Sequence, residues 1–429
     1  METALDRIDA ALAMLPMSEV LWILAQLANR AEQAGRDGQV ELAQQLVPAP
    51  LLPRALELVS SPPRVVTSPQ LVLQLALRAL LHCDPSGDQV ADLEEVARIL
   101  GLLLLALADH VPHDSGSTEA LMLELVRNEL FFRVHGQLDR YEEAYELFFH
   151  TLPQLAGHPD LIDVDAVLRQ AHGVSLEGFW TLTVAAGIVA AGDPRPLTFP
   201  LKIEGDPIDP QTVARWESTW SINLPTAQRL AREDLASGSG WSFTAFYERP
   251  ILTSSDGRRF AMRAHYLSDK AAPTGMFWAV ARAWKQLGRD HEQWARLFGA
   301  AVEARGLQLV TAHVGDPARL FDDDQLRGMW GAGSGEKVCD LLVPYPDAWV
   351  AFEFVHRNLT KATQTTGAYL DLLKDLELAV LEKADQLDAT LERGLAANTL
   401  PSPDRIFPVI VTGASLPANP LLSKPSQPP

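Results

Sequence analysis

The sequence predicts an all-helical N-terminal domain followed by an α/β domain with a small mixed sheet flanked by helices. Three observations point there. Up to about residue 240, apolar residues recur at helical spacing between breaks rich in Pro, Gly, Asp and Ser. The pattern changes at Ser237-Gly238-Ser239-Gly240. Beyond it lie two short apolar runs, Lys337 to Val343 and Trp349 to Val355, each holding one acid in a β-branched or aromatic setting. A chain of 429 residues also exceeds one ordinary core. The expected division is residues 1–240 all-helical, 241–415 α/β, and 416–429 a Pro/Ser-rich tail that reads as disordered.

In the helical part, Ser18-Glu19 opens a periodic run through Leu21, Leu24, Leu27 and Ala28. Ser68-Pro69 opens another through Leu73, Leu77, Leu80 and Leu81, with Pro at the first helical position. Gly87-Asp88 precedes a long run ending near His110, and Ser115 to Ser117 precede one from Glu119 to His135. Two more, Asp163 to Ala171 and Ser175 to Ala191, flank Gly173. No fixed-period repeat emerges, which argues against a solenoid.

After the break, Phe243 to Leu252 and Arg259 to Leu267 read as strands around Asp256-Gly257, a hairpin signal. Helices follow over Thr274 to Leu287 and Asp290 to Ala304, then a strand over Leu307 to His313. The two acid-bearing strands come next, joined by the turn Pro344-Tyr345-Pro346-Asp347. A long helix over Thr363 to Leu395 and a strand over Phe407 to Val411 complete the order.

Bulk properties narrow the classes of function. The formal net charge is -19, but residues 1–240 carry 16 Lys and Arg against 33 Asp and Glu, and the remainder 20 against 22. The acidic load therefore belongs to the helical part, where it suits a protein partner or a homo-oligomer. The second part does not repel phosphates as a whole. Two distant cysteines, Cys83 and Cys339, give no disulfide framework and fit a reducing, cytoplasmic setting. The acidic start lacks the basic region of a signal peptide. The most apolar stretch, Ile99 to Ala108, is too short to span a bilayer and reads as a buried helix, so no membrane partner is expected.

Asp340 and Glu353 carry the chemistry. An ionised carboxylate inside a buried strand is costly unless something pairs with it. Two of them on the arms of one hairpin are able to converge on one divalent cation. With the order helix, strand, acid strand, acid strand, helix, strand, the segment from Trp294 to Thr412 resembles the core of the PD-(D/E)XK nuclease superfamily. That resemblance implies a restriction-endonuclease-like fold and Mg²⁺ (or Mn²⁺) held by the matching acids Glu303, Asp340 and Glu353. It implies hydrolysis of phosphodiester bonds, with DNA ahead of RNA as substrate. By analogy, such a fold fused to a large helical domain looks like a bacterial antiviral defence effector.

One residue departs from that pattern. The family's lysine, two residues after the second acid, is replaced by Val355 in Glu353-Phe354-Val355. Valine neither donates a hydrogen bond nor carries charge. Three cations could stand in for it: Arg357 one pleat further on, Lys361 in the next loop, or Lys383 on the long helix, which shares a helix face with Gln386. Without a stand-in the region is a catalytically inactive nuclease fold used for binding or assembly. Arg258, Arg259, Arg263 and Arg296 are candidates for phosphate contacts.

Plainer readings apply to the same residues. Glu353 could be locked to Arg357 or Arg305, Asp340 to Lys337, and Glu303 could be a solvated helix glutamate. Asp322-Asp323-Asp324 could bind a cation, but an acidic run in a loop is usually only solvated. Gly331 to Gly335 lacks the Lys-Ser/Thr ending of a P-loop. Phe277, Trp278 and Trp284 sit at core spacing. No Gly-x-Ser-x-Gly elbow appears, and the scattered histidines, including His110 and His113, lack convincing metal-ligand spacing.

Overall fold

The computed structural model describes residues 3–33, 36–59, 67–85, 92–108, 137–192, 209–237, 242–254, 257–314, 319–333, 336–355, 360, 363 and 369–412. These form two compact units. Of the described residues, those within 1–137 and 168–271 make the first, and those within 138–167, 272–363 and 369–412 the second. The division falls later than the expected boundary at 240, and the second unit also draws on an excursion from the helical part. The expected helix over Glu119 to His135 and the tail 416–429 lie outside the described residues.

In the first unit, the helices Met17–Gln33 and Pro69–His82 pack together and bury Leu21, Leu24, Leu73, Leu77 and Leu80. The Ser68 side chain accepts the Leu71 N–H, capping the second helix where the Ser-Pro pair predicts its start. The apolar run at Ile99 falls in the helix Leu93–Ala108, which buries Leu100, Leu103, Leu104 and Leu107. No single helix among the described residues is long and apolar enough to cross a membrane.

Strands β1 (Ser221–Asn223), β2 (Ile251–Thr253) and β3 (Arg259–Ala261) form a small mixed sheet in that unit. β1 runs parallel to β2, and β2 antiparallel to β3. Both arms of the expected hairpin are shorter than their composition suggests. Thr244–Tyr247 is a helical turn and Ala264–Ser268 a short helix. Tertiary hydrogen bonds outweigh strand propensity there. Asp234 accepts from Ser242 Oγ and from the Ala245 N–H, and Asn29 Oδ1 accepts from the Ala264 N–H at the start of the short helix.

The second unit opens with the helices Pro273–Gln286 and His291–Val314. Phe277, Trp294 and Phe298 bury their rings together with Phe148, and Trp294 Nε1 donates to the Phe277 carbonyl at 3.0 Å. The strand expected over Leu307 to His313 is the last two turns of the second helix. Leu307 and Leu309 are exposed there. Arg305 on that helix pairs with Glu143 and Glu146.

Four strands make the sheet of this unit, in the order β4 (Phe321–Asp322), β5 (Leu341–Pro344), β6 (Ala348–Val355) and β7 (Arg405–Thr412). β4 to β6 are antiparallel neighbours, and β7 lies parallel to β6. The β6–β7 crossover holds the helix Tyr369–Leu376, a π-helical turn Glu377–Leu381 and the helix Glu382–Ala397. Leu387 and Leu391 join Trp330, Trp349 and Leu342 in the core beneath the sheet. Gly394 lets the last helix come close, since a Cβ there would lie 2.8 Å from the Trp330 ring.

Candidate functional site

The β5–β6 register sets the two hairpin acids level. Leu341 pairs with Phe352, so the next position outward brings Asp340 opposite Glu353. Residues directly opposite share one face of the sheet. Asp340 itself lies one residue before β5, in a bend, and its Oδ2 accepts the Phe354 N–H at 2.7 Å. That bond ties Asp340 to the second arm of the hairpin.

Glu303 arrives from the helix His291–Val314. One turn further along, Gly306 sits against the Phe354 ring, where a Cβ would come within 2.2 Å of the ring carbons. Glycine thus permits the close approach of helix to β6. Glu303 is exposed, as the reading of a solvated helix glutamate has it. Its pKa is nonetheless pushed up to about 7, by burial first and then by the charges of Asp340, Asp323 and Glu353, against a lowering pull from Lys383.

Glu353 is buried, its side chain 1% exposed. Lys383 Nζ donates to Glu353 Oε1 in a short ion pair. Gln386 Nε2 donates to the same oxygen at 2.7 Å. Oε2 of Glu353 is buried and has no hydrogen-bond partner among the described residues. Burial and Asp340 push the Glu353 pKa up to about 7, opposed by Lys383 and Lys337. Asp340 is also raised, by burial first, with the Phe354 N–H and Lys383 holding it back and Asp323 adding to the rise.

Lys383 reaches the site because the helix Glu382–Ala397 turns one stripe toward the sheet, from Lys383 through Leu387 and Leu391 to Gly394. Of the three stand-ins for the absent motif lysine, this is the one the described structure brings to Glu353. Arg357 and Lys361 lie outside the described residues. Arg305 is taken up by Glu143 and Glu146, not by Glu353.

Asp323, read in the sequence as part of an acidic loop, is a further neighbour of the acids. The expected solvated loop is a helix start. Asp322 caps the helix Asp323–Trp330 through a capping box with Gln325, and Asp323 on its first turn raises both Glu303 and Asp340. The Asp322-x-x-Gln325 spacing was the available signal. Asp323 also pairs with Arg327 at 3.4 Å. Beyond Glu353, Asp375 fastens the chain leaving β6, accepting from the Thr360 N–H and from Thr363 Oγ1.

The four arginines expected to meet phosphate are engaged elsewhere. Arg258 pairs with Glu19, Arg259 with Glu217, and Arg296 with Asp160. Arg263 is fully buried against Glu32 and has no surface to offer a ligand. Arg258, Arg259 and Arg263 also belong to the first compact unit, not to the unit that carries the acids. Cys339, beside Asp340, is buried and pushed up to about 12 by burial, so it is a protonated thiol at neutral pH.

Among the described residues no group of three or more His, Cys, Asp or Glu side chains is assembled closely enough to hold a metal ion. The site offers one buried carboxylate oxygen of Glu353 that has no partner among the described residues, with Lys383 on its other oxygen and Asp340, Glu303 and Asp323 nearby. No family model matches the chain, and neither a curated protein nor a solved structure is similar to it.

Proposed function

We propose that the second unit is a metal-dependent phosphodiesterase of nuclease type, acting on DNA, with Lys383 in the role left vacant at Val355. The observation that carries this reading is the unequal loading of Glu353. One oxygen is held by Lys383 and Gln386, and the other is buried, near Asp340 and without a partner among the described residues. A buried acceptor without a donor is expensive, and a hard cation with oxygen ligands satisfies it. The residues that would hold Mg²⁺ or Mn²⁺ are Glu353 and Asp340, since such an ion needs only one or two carboxylates and keeps several waters, with Glu303 as the third acid, not gathered with them into a metal group here. When bound, the ion supplies a Lewis acid and a water of lowered pKa.

The chain's own groups do the rest. Lys383 supplies positive charge beside Glu353, suited to offsetting the charge that develops on a phosphoryl group in the transition state. The Phe354 N–H holds one Asp340 oxygen and thereby orients the carboxylate. Asp323 adds negative charge that favours a divalent cation over an empty site. Calorimetry with Mn²⁺ and a plasmid-nicking assay test the reading. Binding and nicking by the parent, both lost in Asp340→Ala and Glu353→Ala, support it; a parent that does neither overturns it.

The second reading is a nuclease-like module that binds without cutting. Its support is the ion pair itself, since Lys383 already neutralises Glu353 and the acids are not gathered into a metal group. DNA or protein binding with no Mn²⁺ affinity, together with nicking gained in Val355→Lys, would favour it.

A further inference from the structure

We infer that Gln386 is the positioning residue of this site, selecting which oxygen of Glu353 is left open and holding Lys383 on the other. The inference rests on the proposed metal-dependent reading and assigns a role that reading does not contain. Gln386 makes three polar contacts. Its Nε2 donates to Glu353 Oε1 at 2.7 Å and to the Val338 carbonyl at 3.2 Å, and its Oε1 accepts from Lys383 Nζ at 3.2 Å.

This set of partners fixes the amide orientation. A flipped amide would set its NH₂ against the Lys383 ammonium, donor against donor. It would also set its oxygen against the Val338 carbonyl and the Glu353 carboxylate, acceptor against acceptors. Only one orientation satisfies all three, so the side chain acts as a rigid bridge.

The bridge joins the three parts the site needs. Val338 lies two residues before Asp340, on the run into β5. Glu353 lies on β6 and Lys383 on the crossover helix. One amide therefore links the approach to the first acid, the second acid and the lysine. It also loads Glu353 unevenly. Two donors on Oε1 leave the lone pairs of the buried Oε2 as the open ligand position. Without the amide the carboxylate is free to turn and spread Lys383 across both oxygens. Groups that orient a ligand in this way typically contribute a factor of about 10–100 in metal affinity or activity.

The test uses the full chain, with Gln386→Leu, which keeps the volume and removes all three bonds, and Gln386→Met as a second variant should the first fold poorly. Each is checked for parental circular dichroism at the assay temperature. The expected result is a Mn²⁺ Kd raised about 10–100-fold, a nicking kcat lowered by a similar factor and an unchanged KM for DNA. In a cycle with Lys383→Met, the double variant should lose little more than Lys383→Met alone, because the amide acts through the lysine–glutamate pair. A folded variant with parental Mn²⁺ affinity and kcat, or losses that simply add, overturns the role while leaving the metal-dependent reading intact. A parent that neither binds Mn²⁺ nor nicks overturns that reading and this role with it.

Discussion

Lys383 stands thirty residues downstream of Glu353 on a separate helix, yet its ammonium bonds Glu353 Oε1. The pair joins the crossover helix to the middle of the sheet and sets the charge balance of the whole acid cluster. Its removal should be felt in both stability and chemistry.

Lys383→Met keeps the aliphatic stem and deletes the charge. Glu353 then stays buried with Gln386 as its remaining partner, and the structure should lose about 2 kcal/mol. The loss should shrink with falling pH, because Lys383 lowers the Glu353 pKa and its removal lets the acid protonate more readily. Urea denaturation at pH 8 and pH 5 measures both. Equal losses at the two pH values would show that the ion pair is not the source.

The raised acids predict a pH slope of their own. Glu303 and Glu353 move from an ordinary 4.5 to about 7 in the folded protein. The folded state therefore holds protons that the unfolded chain releases, and stability falls as pH rises from about 4.5 through about 7. Glu353→Gln should flatten that slope in a series of denaturation midpoints. A slope identical to the parent's would place the titrating groups elsewhere.

A divalent cation competes with those protons. Mg²⁺ or Mn²⁺ should raise Tm at pH 8 and leave it nearly unchanged at pH 5. At a hundredfold excess over Kd the expected stabilisation is about 2.7 kcal/mol. Thermal unfolding with and without the ion reads this directly, and Asp340→Ala should abolish the response.

Gly306→Ala examines how the helix that bears Glu303 is seated. The new Cβ would fall 2.2 Å from the Phe354 ring, and a clash of that kind costs about 1–3 kcal/mol. Phe354→Leu should recover part of the loss in the double variant. If Gly306→Ala is neutral in denaturant, the helix does not depend on this close approach.

In the first unit, Arg263 and Glu32 form a buried two-bond pair. Glu32→Leu should cost about 3–5 kcal/mol by leaving the guanidinium without its carboxylate. Combining it with Arg263→Met should restore much of that. The same variants should leave nicking kinetics unchanged wherever the protein stays folded, as befits a structural arginine.

The sequence revealed elements best where one local signal governs. Ser68-Pro69 marked a helix start because the hydroxyl cap and the fixed proline φ act within one turn. The lone acids in Lys337 to Val343 and Trp349 to Val355 marked the hairpin because a single carboxylate is conspicuous in an otherwise apolar, β-branched or aromatic run. Leu307 to His313 failed because Leu307 and Leu309 are exposed on a helix, a burial state that alternation cannot report. The pairing of the arginines was hidden for a related reason. Their partners Glu19, Glu217, Glu32 and Asp160 lie far away in sequence, and a free cation and a paired one look alike in a string of letters.

By itself the sequence determined the hairpin of β5 and β6, the gap at Val355 and Lys383 as one of the groups able to fill it; it placed Asp340 inside the first strand, where the structure has it in a bend just before β5. Tertiary structure decided that Lys383 does reach Glu353, that Gln386 bridges them and that Asp323 joins the cluster. Strand and helix periods fix which face a residue takes on its own element. Whether two faces meet depends on packing, and here that turns on Gly306 against Phe354 and Gly394 against Trp330, contacts whose reach no local pattern encodes.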